Sequence, residues 1–191
     1  GAEMGVRHVR LTGGEPLVRP YLSNLIKLLT AVPGIDDISL TTNGTLLKTQ
    51  AAELKAAGLK RINVSLDSLI PERFTRITGG EKLNNVFEGI AEAHRVGLSP
   101  VKVNMVVMPG INDDEVNDFA LKARDESWHV RFIEYMPFEG AGNTQILTVA
   151  EIKEKIETAL GELWACCISG AGPANYFSFG FGHGTIGFIR P

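Results

Sequence analysis

Residues 7–19 read Arg-His-Val-Arg-Leu-Thr-Gly-Gly-Glu-Pro-Leu-Val-Arg, a short alternating strand that ends in two glycines, a carboxylate and a proline. Glycine lacks a Cβ, so the backbone at Gly13 and Gly14 can turn sharply and lie against a ligand. Glu15 sets a carboxylate beside that open backbone, and Pro16 stiffens the exit. Bare carbonyls next to a carboxylate suit an ammonium group. Later strand-like runs finish in the same way, with Thr-Thr-Asn-Gly at 41–44, Ser-Leu-Asp-Ser at 65–68 and Tyr-Met-Pro at 135–137. A row of polar strand ends is what the active-site face of a parallel α/β barrel presents.

Outward from that stretch, strand-like runs fall at 6–12, 36–42, 61–67, 101–108 and 130–136. Helical patterns lie between and after them, at 20–32, 46–57, 83–96, 113–125 and 149–160. Gly58 and Gly97 are helix stops, Asn112 and Asp113 are candidate caps, and Thr148 with Glu151 spells a capping box. Strand followed by helix, repeated, predicts a parallel sheet with right-handed crossovers. We expect an α/β partial barrel over 1–163. Residues 164–191 then begin a C-terminal extension: a loop through Gly170, Gly172 and Pro173, and a hairpin of Asn175–Phe179 and Thr185–Ile189 packed on the barrel. The run Gly180-Phe-Gly-His-Gly-Thr has no helix after it, so it reads as a turn rather than a nucleotide loop.

Alternation sorts each strand into two faces. Val9 and Leu11 oppose His8, Arg10 and Thr12; Ile38 and Leu40 oppose Ser39, Thr41 and Asn43. Ile62, Val64 and Leu66 oppose Asn63, Ser65 and Asp67; Val101, Val103, Met105 and Val107 oppose Lys102, Asn104 and Val106. Parallel strands covered on both sides would be nearly continuous apolar runs. One polar face therefore either meets solvent on a half-covered sheet or lines the wet lumen of a curved one. A closed barrel fills its middle with apolar side chains, whereas a partial barrel need not. Four cations, His8, Arg10, Lys102 and Arg131, belong to that face. Burying unpaired charge costs several kcal/mol, so they imply anionic company. Asp67 and Glu134 could provide it as a structural network, or a phosphate-bearing substrate could. The residues alone leave both open.

Composition sets the bounds. With 191 residues, 44% of them hydrophobic and 21% charged, the chain can bury an ordinary core. A net charge of -3 argues against a general nucleic-acid binder. No apolar run reaches membrane-spanning length. No signal peptide is visible, so the expected location is cytoplasmic. The only cysteines, Cys166 and Cys167, are adjacent. Two adjacent thiols hold neither a structural zinc nor an iron–sulfur cluster by themselves, so no metal ligands are assigned and the pair reads as small, partly buried apolar residues.

Five segments in order, 9–19, 40–44, 61–68, 101–107 (Val-Lys-Val-Asn-Met-Val-Val) and 130–137 (Val-Arg-Phe-Ile-Glu-Tyr-Met-Pro), resemble the GTP 3',8-cyclase family of molybdenum cofactor biosynthesis. The likeness extends to Gly-Pro-Ala at 172–174 and Gly-Thr-Ile-Gly-Phe-Ile at 184–189. That family consists of radical S-adenosylmethionine enzymes with partial barrels. The resemblance implies that Gly13, Gly14 and Glu15 meet the methionine end of S-adenosylmethionine, with Ser65, Met136 and Asn43 as further contacts. It implies that Arg10, Thr41 and Lys102 bind GTP, with Arg131 as another anion contact. His8 stands where the family tends to carry a base. The resemblance also implies two [4Fe–4S] clusters, S-adenosylmethionine and GTP as partners, and a homodimer. The family's cluster cysteines have no counterpart in this sequence, and the 138–147 loop is shorter than the family's. The expectation is a central segment of such an enzyme, inactive by itself. Rival readings are another radical enzyme, such as one acting on peptides, a phosphate-binding barrel with Lys102 as a Schiff-base lysine, and a binding module.

Overall fold

Strand and helix alternate as the pattern demands. The structure is a computed structural model that describes residues 1–136, 146–168, 174–180 and 184–190. In chain order the elements are β1 (His8–Leu11), α1 (Leu22–Thr30), β2 (Asp37–Thr42), α2 (Leu47–Ala56), β3 (Arg61–Ser65), α3 (Pro71–Thr78), α4 (Leu83–Arg95), β4 (Val101–Val107), α5 (Val116–Asp125), β5 (His129–Glu134), α6 (Val149–Leu160), β6 (Trp164–Cys166), β7 (Asn175–Ser178) and β8 (Thr185–Ile189). Short 3₁₀ turns at Ala2–Met4, Pro16–Val18 and Asp113–Glu115 precede β1, α1 and α5.

The chain forms two compact units, Gly1–Ser65 with Lys82–Val101, and Leu66–Glu81 with Lys102–Pro191. In the first, β1, β2 and β3 run parallel, with Val9 beside Ile38 and Leu40 beside Ile62. The apolar face of these strands and the stripes of α1, α2 and α4 supply the core: Ile26, Ile38, Leu40, Leu47, Leu54, Ile62, Val64, Val86 and Ile90 are buried. In the second unit, β4, β5 and β8 run parallel, and β7 and β6 continue antiparallel from β8. Val103, Met105, Phe119, Val130, Phe132, Ile152, Ile156, Ile186 and Phe188 are buried there. Phe132 and Phe188 stack at 6.1 Å, and Phe177 meets Phe188 edge-on at 5.7 Å.

The capping box of α6 forms as expected, Thr148 Oγ1 accepting from Glu151 N while the Glu151 carboxylate accepts from Thr148 N. Several local expectations need correction. α3 is absent from the hydrophobic pattern because only Phe74 of its residues is buried; its signals are Pro71 at the start and Gly79, at φ 71, as the stop. β6 occupies sequence expected to be loop. The hairpin of β7 and β8 joins the sheet through β8, which pairs with β5. Asn112 caps no helix with its side chain. Its Oδ1 accepts from Met108 N at 2.7 Å and its Nδ2 donates to the carbonyls of Asp67 (2.8 Å) and Val106 (2.9 Å), so it ties a loop to two strand ends. The loop residues Gly170, Gly172 and Pro173, Pro137, most of the 138–147 loop and the middle of the 180–185 turn lie outside the described residues.

Candidate functional site

Gly13 adopts φ +151, in the region that favours glycine, and a Cβ built there or at Gly14 would meet nothing within 4 Å. Both residues are exposed, so the backbone at the β1 exit faces open space. The next residue fixes it. Glu15 Oε1 accepts from Leu17 N at 2.9 Å and from Thr42 Oγ1 at 2.6 Å, and Glu15 Oε2 accepts from Asn43 N at 2.7 Å. One carboxylate therefore starts the 3₁₀ turn and joins the exits of β1 and β2. The sequence reading offered this carboxylate to an ammonium group; in the fold it is already engaged by donors of the chain, which leaves the bare backbone of Gly13 and Gly14 as the open ligand-facing feature. Asn43 turns its Oδ1 onto Thr45, accepting from the backbone N at 3.0 Å and from Oγ1 at 2.9 Å. Ser65 ends β3 and is exposed.

Register builds the polar face of the first unit. His8 lies beside Asp37, Arg10 beside Ser39 and Ser39 beside Arg61, and Thr41 beside Asn63. Asn63 Nδ2 donates to Thr41 Oγ1 at 3.3 Å. Arg61, 6% exposed, grips Asp37 in bidentate fashion, Nε reaching Oδ1 at 3.1 Å and Oδ2 at 2.9 Å with Nη2 also on Oδ2. His8 Nδ1 stands 3.4 Å from the same Oδ2. The hydrogen bonds from Arg61 hold the Asp37 carboxyl below its ordinary range. Part of the cationic face is thus neutralised internally, by Asp37 rather than by the acids considered from sequence. Arg10 is exposed, and no carboxylate pairs with it among the described residues.

The second unit repeats the arrangement. Lys102, His129 and Thr185 form one cross-strand row, and Asn104, Arg131, Gly187 and Tyr176 form the next. Lys102 is 1% exposed and Arg131 4%. Lys102 Nζ lies 5.2 Å from the centroid of the Tyr176 ring, and His129 Nδ1 is 3.0 Å from Thr185 Oγ1. Asp67 and Glu134, one of the two sources of anionic company left open by the sequence, accept from backbone amides: Asp67 Oδ1 from Val106 N at 2.8 Å and Glu134 Oε2 from Val149 N at 3.1 Å. Burial pushes the Asp67 carboxyl up. Met136 is exposed just beyond β5.

The expected residues therefore gather in two sets. Arg10, Gly13, Gly14, Glu15, Thr41, Asn43 and Ser65 share the first unit; Lys102, Arg131 and Met136 share the second. Asp37, Arg61, His129, Tyr176 and Gly187 were missed. His129 was legible, since alternation from Arg131 places it on the same face. Tyr176 needed the β7–β8 register, which sequence does not reveal.

Two groups can be tested against these residues. The open backbone at Gly13 and Gly14, held by Glu15 and flanked by the exposed Asn43 and Ser65, fits a zwitterionic ligand such as the methionine end of S-adenosylmethionine. An iron–sulfur cluster does not fit. Cys166 and Cys167 are the chain's only thiols, burial pushes the first of them up, and among the described residues no three His, Cys, Asp or Glu side chains gather to hold a metal.

The radical SAM superfamily model matches residues 1–123, and the chain belongs to that superfamily. The superfamily implies S-adenosylmethionine and iron–sulfur chemistry. The chain is 47% identical over 193 residues to the GTP 3',8-cyclase of Thermodesulfovibrio yellowstonii, covering 100% of this chain and 60% of that protein. It is 48% identical over 193 residues to the GTP 3',8-cyclase of Syntrophomonas wolfei, covering 100% of this chain and 59% of that one. The chain thus spans about 60% of the length of the curated relatives it matches. Among solved structures, a domain of pyruvate-formate lyase-activating enzyme from Bacteroides vulgatus aligns with TM-score 0.59 at 17% identity, over 78% of this chain and 90% of that one. Coproporphyrinogen III oxidase from Escherichia coli, a radical SAM enzyme, aligns with TM-score 0.55 at 16% identity, over 81% of this chain and 40% of that one. The fold is the expected one, α/β with a mostly parallel sheet of the partial-barrel type. Among the described residues no helix is long and apolar enough to cross a membrane.

Proposed function

We propose that the whole protein to which this chain belongs is a GTP 3',8-cyclase, a lyase that converts GTP to (8S)-3',8-cyclo-7,8-dihydroguanosine 5'-triphosphate for the molybdenum cofactor. The observation that carries this reading is the placement of Arg10, Thr41, Lys102 and Arg131 on polar strand faces in a chain 47% identical to such cyclases throughout. When bound, S-adenosylmethionine would supply organic-radical chemistry, with the electron for its cleavage coming from a reduced iron–sulfur cluster. Gly13 and Gly14 hold its methionine end through their backbone, Glu15 keeps that backbone in place, and Asn43, Ser65 and Met136 complete the contact. The likeness to those cyclases supports Arg10 and Thr41 in the first unit, and Lys102 and Arg131 in the second, as contacts of the GTP triphosphate that fix the sugar; placement and water exclusion are the protein's share of the catalysis. The ligands of both [4Fe–4S] clusters come from sequence outside these residues. We read residues 164–191 as the start of a C-terminal extension, the assembly as a homodimer and the location as cytoplasmic.

The test is anaerobic reconstitution of the full-length protein with iron and sulfide, followed by reductant, S-adenosylmethionine and GTP. 5'-Deoxyadenosine together with a cyclised GTP product is the expected outcome. 5'-Deoxyadenosine with GTP untouched would overturn the substrate and leave a radical enzyme of another specificity. Absence of 5'-deoxyadenosine would overturn the radical reading.

A further inference from the structure

Asn104 sits midway along β4, on the face that carries Lys102 two residues before it. Its row runs on through Arg131 of β5 and Gly187 of β8 to Tyr176 of β7. The residue is half-buried, and its side-chain oxygen Oδ1 is closed off from solvent with no hydrogen-bond partner among the described residues. A buried acceptor in that state has given up its water and gained no donor in return, a condition native proteins seldom keep without a use for it. The backbone of the residue is engaged: its carbonyl accepts from Leu66 N at 2.9 Å. The far end of the row is filled. A Cβ at Gly187 would stand 2.8 Å from Tyr176 Cε1 and 3.0 Å from Arg131 Cγ, so no further group fits over β8.

We propose that Asn104 recognises the sugar of the bound nucleotide, accepting a hydrogen bond from one of its two hydroxyl groups. This inference deepens the reading of the face as a GTP site and rests on it. Chemistry selects the part of the nucleotide. Ionised phosphate oxygens are acceptors, so an amide oxygen offers them nothing, whereas cationic side chains suit them. A hydroxyl supplies the hydrogen that the amide oxygen lacks. Position agrees. The sugar follows the phosphates along a nucleotide, and Asn104 follows Lys102 along the face, about 7 Å further on. The amide turns easily about its terminal bond, so its oxygen can meet a donor arriving from the open side. A site with such an acceptor also discriminates, because an analogue without the matching donor leaves the oxygen bare.

Calorimetric titration of the reconstituted full-length protein, without reductant, tests this with GTP, 2'-deoxyGTP, 3'-deoxyGTP and ITP, which lacks the 2-amino group of guanine. The parent should bind one of the two deoxynucleotides roughly tenfold more weakly than GTP. Asn104→Leu should weaken GTP by a similar factor and bind that deoxynucleotide as the parent does, with affinity for S-adenosylmethionine within about twofold. Asn104→Ala should erase the same discrimination, and the comparison within the parent needs no variant at all. Equal weakening of all four nucleotides in both variants would mean a structural role and overturns the proposal. Discrimination lost only against ITP would move the contact to the base and overturns the sugar. A parent that binds GTP and both deoxynucleotides alike overturns the role of Asn104 and leaves the cyclase reading standing. A parent that binds no GTP removes that reading, and the sugar contact with it.

Discussion

Thr42 donates its hydroxyl hydrogen bond to Glu15 at 2.6 Å, so the ends of the first two strands move as one. The open backbone at Gly13 and Gly14 is placed from β2 as much as from β1. Replacing Glu15 by alanine strands the Leu17 and Asn43 amides and the Thr42 hydroxyl. A loss of about 1–3 kcal/mol in stability is expected from donors left unsatisfied, together with weakened S-adenosylmethionine binding. Glu15→Gln keeps one carbonyl acceptor and should retain part of both. Urea denaturation and calorimetric titration measure the two effects; unchanged ligand affinity in a folded Glu15→Ala protein would remove Glu15 from the site.

Asp37 and Arg61 form a largely buried pair. Removing one partner of such a pair leaves an uncompensated charge, so Asp37→Ala should lose about 3 kcal/mol at neutral pH. Asp37 has a lowered folded pKa, so its contribution is present above the unfolded carboxylate value of about 3.9 and fades as pH falls through the folded value. Denaturation at pH 7 and at pH 3 should show the gap between parent and variant closing at the lower pH.

Asp67 has the opposite sign. Burial raises its folded pKa, so its ionised form opposes folding; whatever stability the acid offers is complete below the unfolded pKa and declines as pH rises through the folded one. Asp67→Asn keeps an oxygen for Val106 N and removes the charge. It should stabilise the protein by about 1 kcal/mol at pH 7, and the advantage should disappear near pH 4. A destabilised variant at pH 7 would show that the charge has a partner worth more than its burial.

Glu115, 1% exposed, accepts from Ser68 Oγ at 2.8 Å, from Leu69 N at 2.6 Å and from Arg73 Nη1 at 2.5 Å. It clamps the start of α3 to the turn before α5. Glu115→Ala should cost about 3–5 kcal/mol. Arg73→Met should cost much less in that background than in the parent, since the two act as one unit. Additive losses in the double variant would break the clamp into independent contacts.

Arg10→Ala and Lys102→Ala should each raise the KM for GTP at least tenfold in the whole enzyme, a charge-assisted contact being worth about 1.5–3 kcal/mol. Affinity for S-adenosylmethionine should stay within about twofold. Steady-state kinetics and equilibrium binding separate the two, and normal GTP turnover in both variants would dismiss these residues as substrate contacts.

The strands and most helices were legible because their signals are local. Ile38, Leu40, Ile62 and Val64 alternate with polar residues, and Gly58, Gly97 and Thr148 punctuate the helices. The polar face followed from the same alternation. What stayed hidden depends on register. Asp37 sits at a strand start, where nothing local announces that Arg61 will reach across to it. α3 buries too little to leave a stripe. β8 reads as half of a hairpin, and only its pairing with β5 brings Tyr176 to Lys102. Glu15 looked like a ligand group because a sequence shows a carboxylate but not the three donors that the fold aims at it.

Gly187 also governs how the protein could be altered. A side chain can be trimmed to widen a pocket, but glycine has nothing left to trim. Every substitution at this position fills space that Tyr176 and Arg131 already occupy. Room in this row would therefore have to come from β4 or β5, or from a change of the ring at 176 itself. A saturation library at 187 should return glycine alone among its active members.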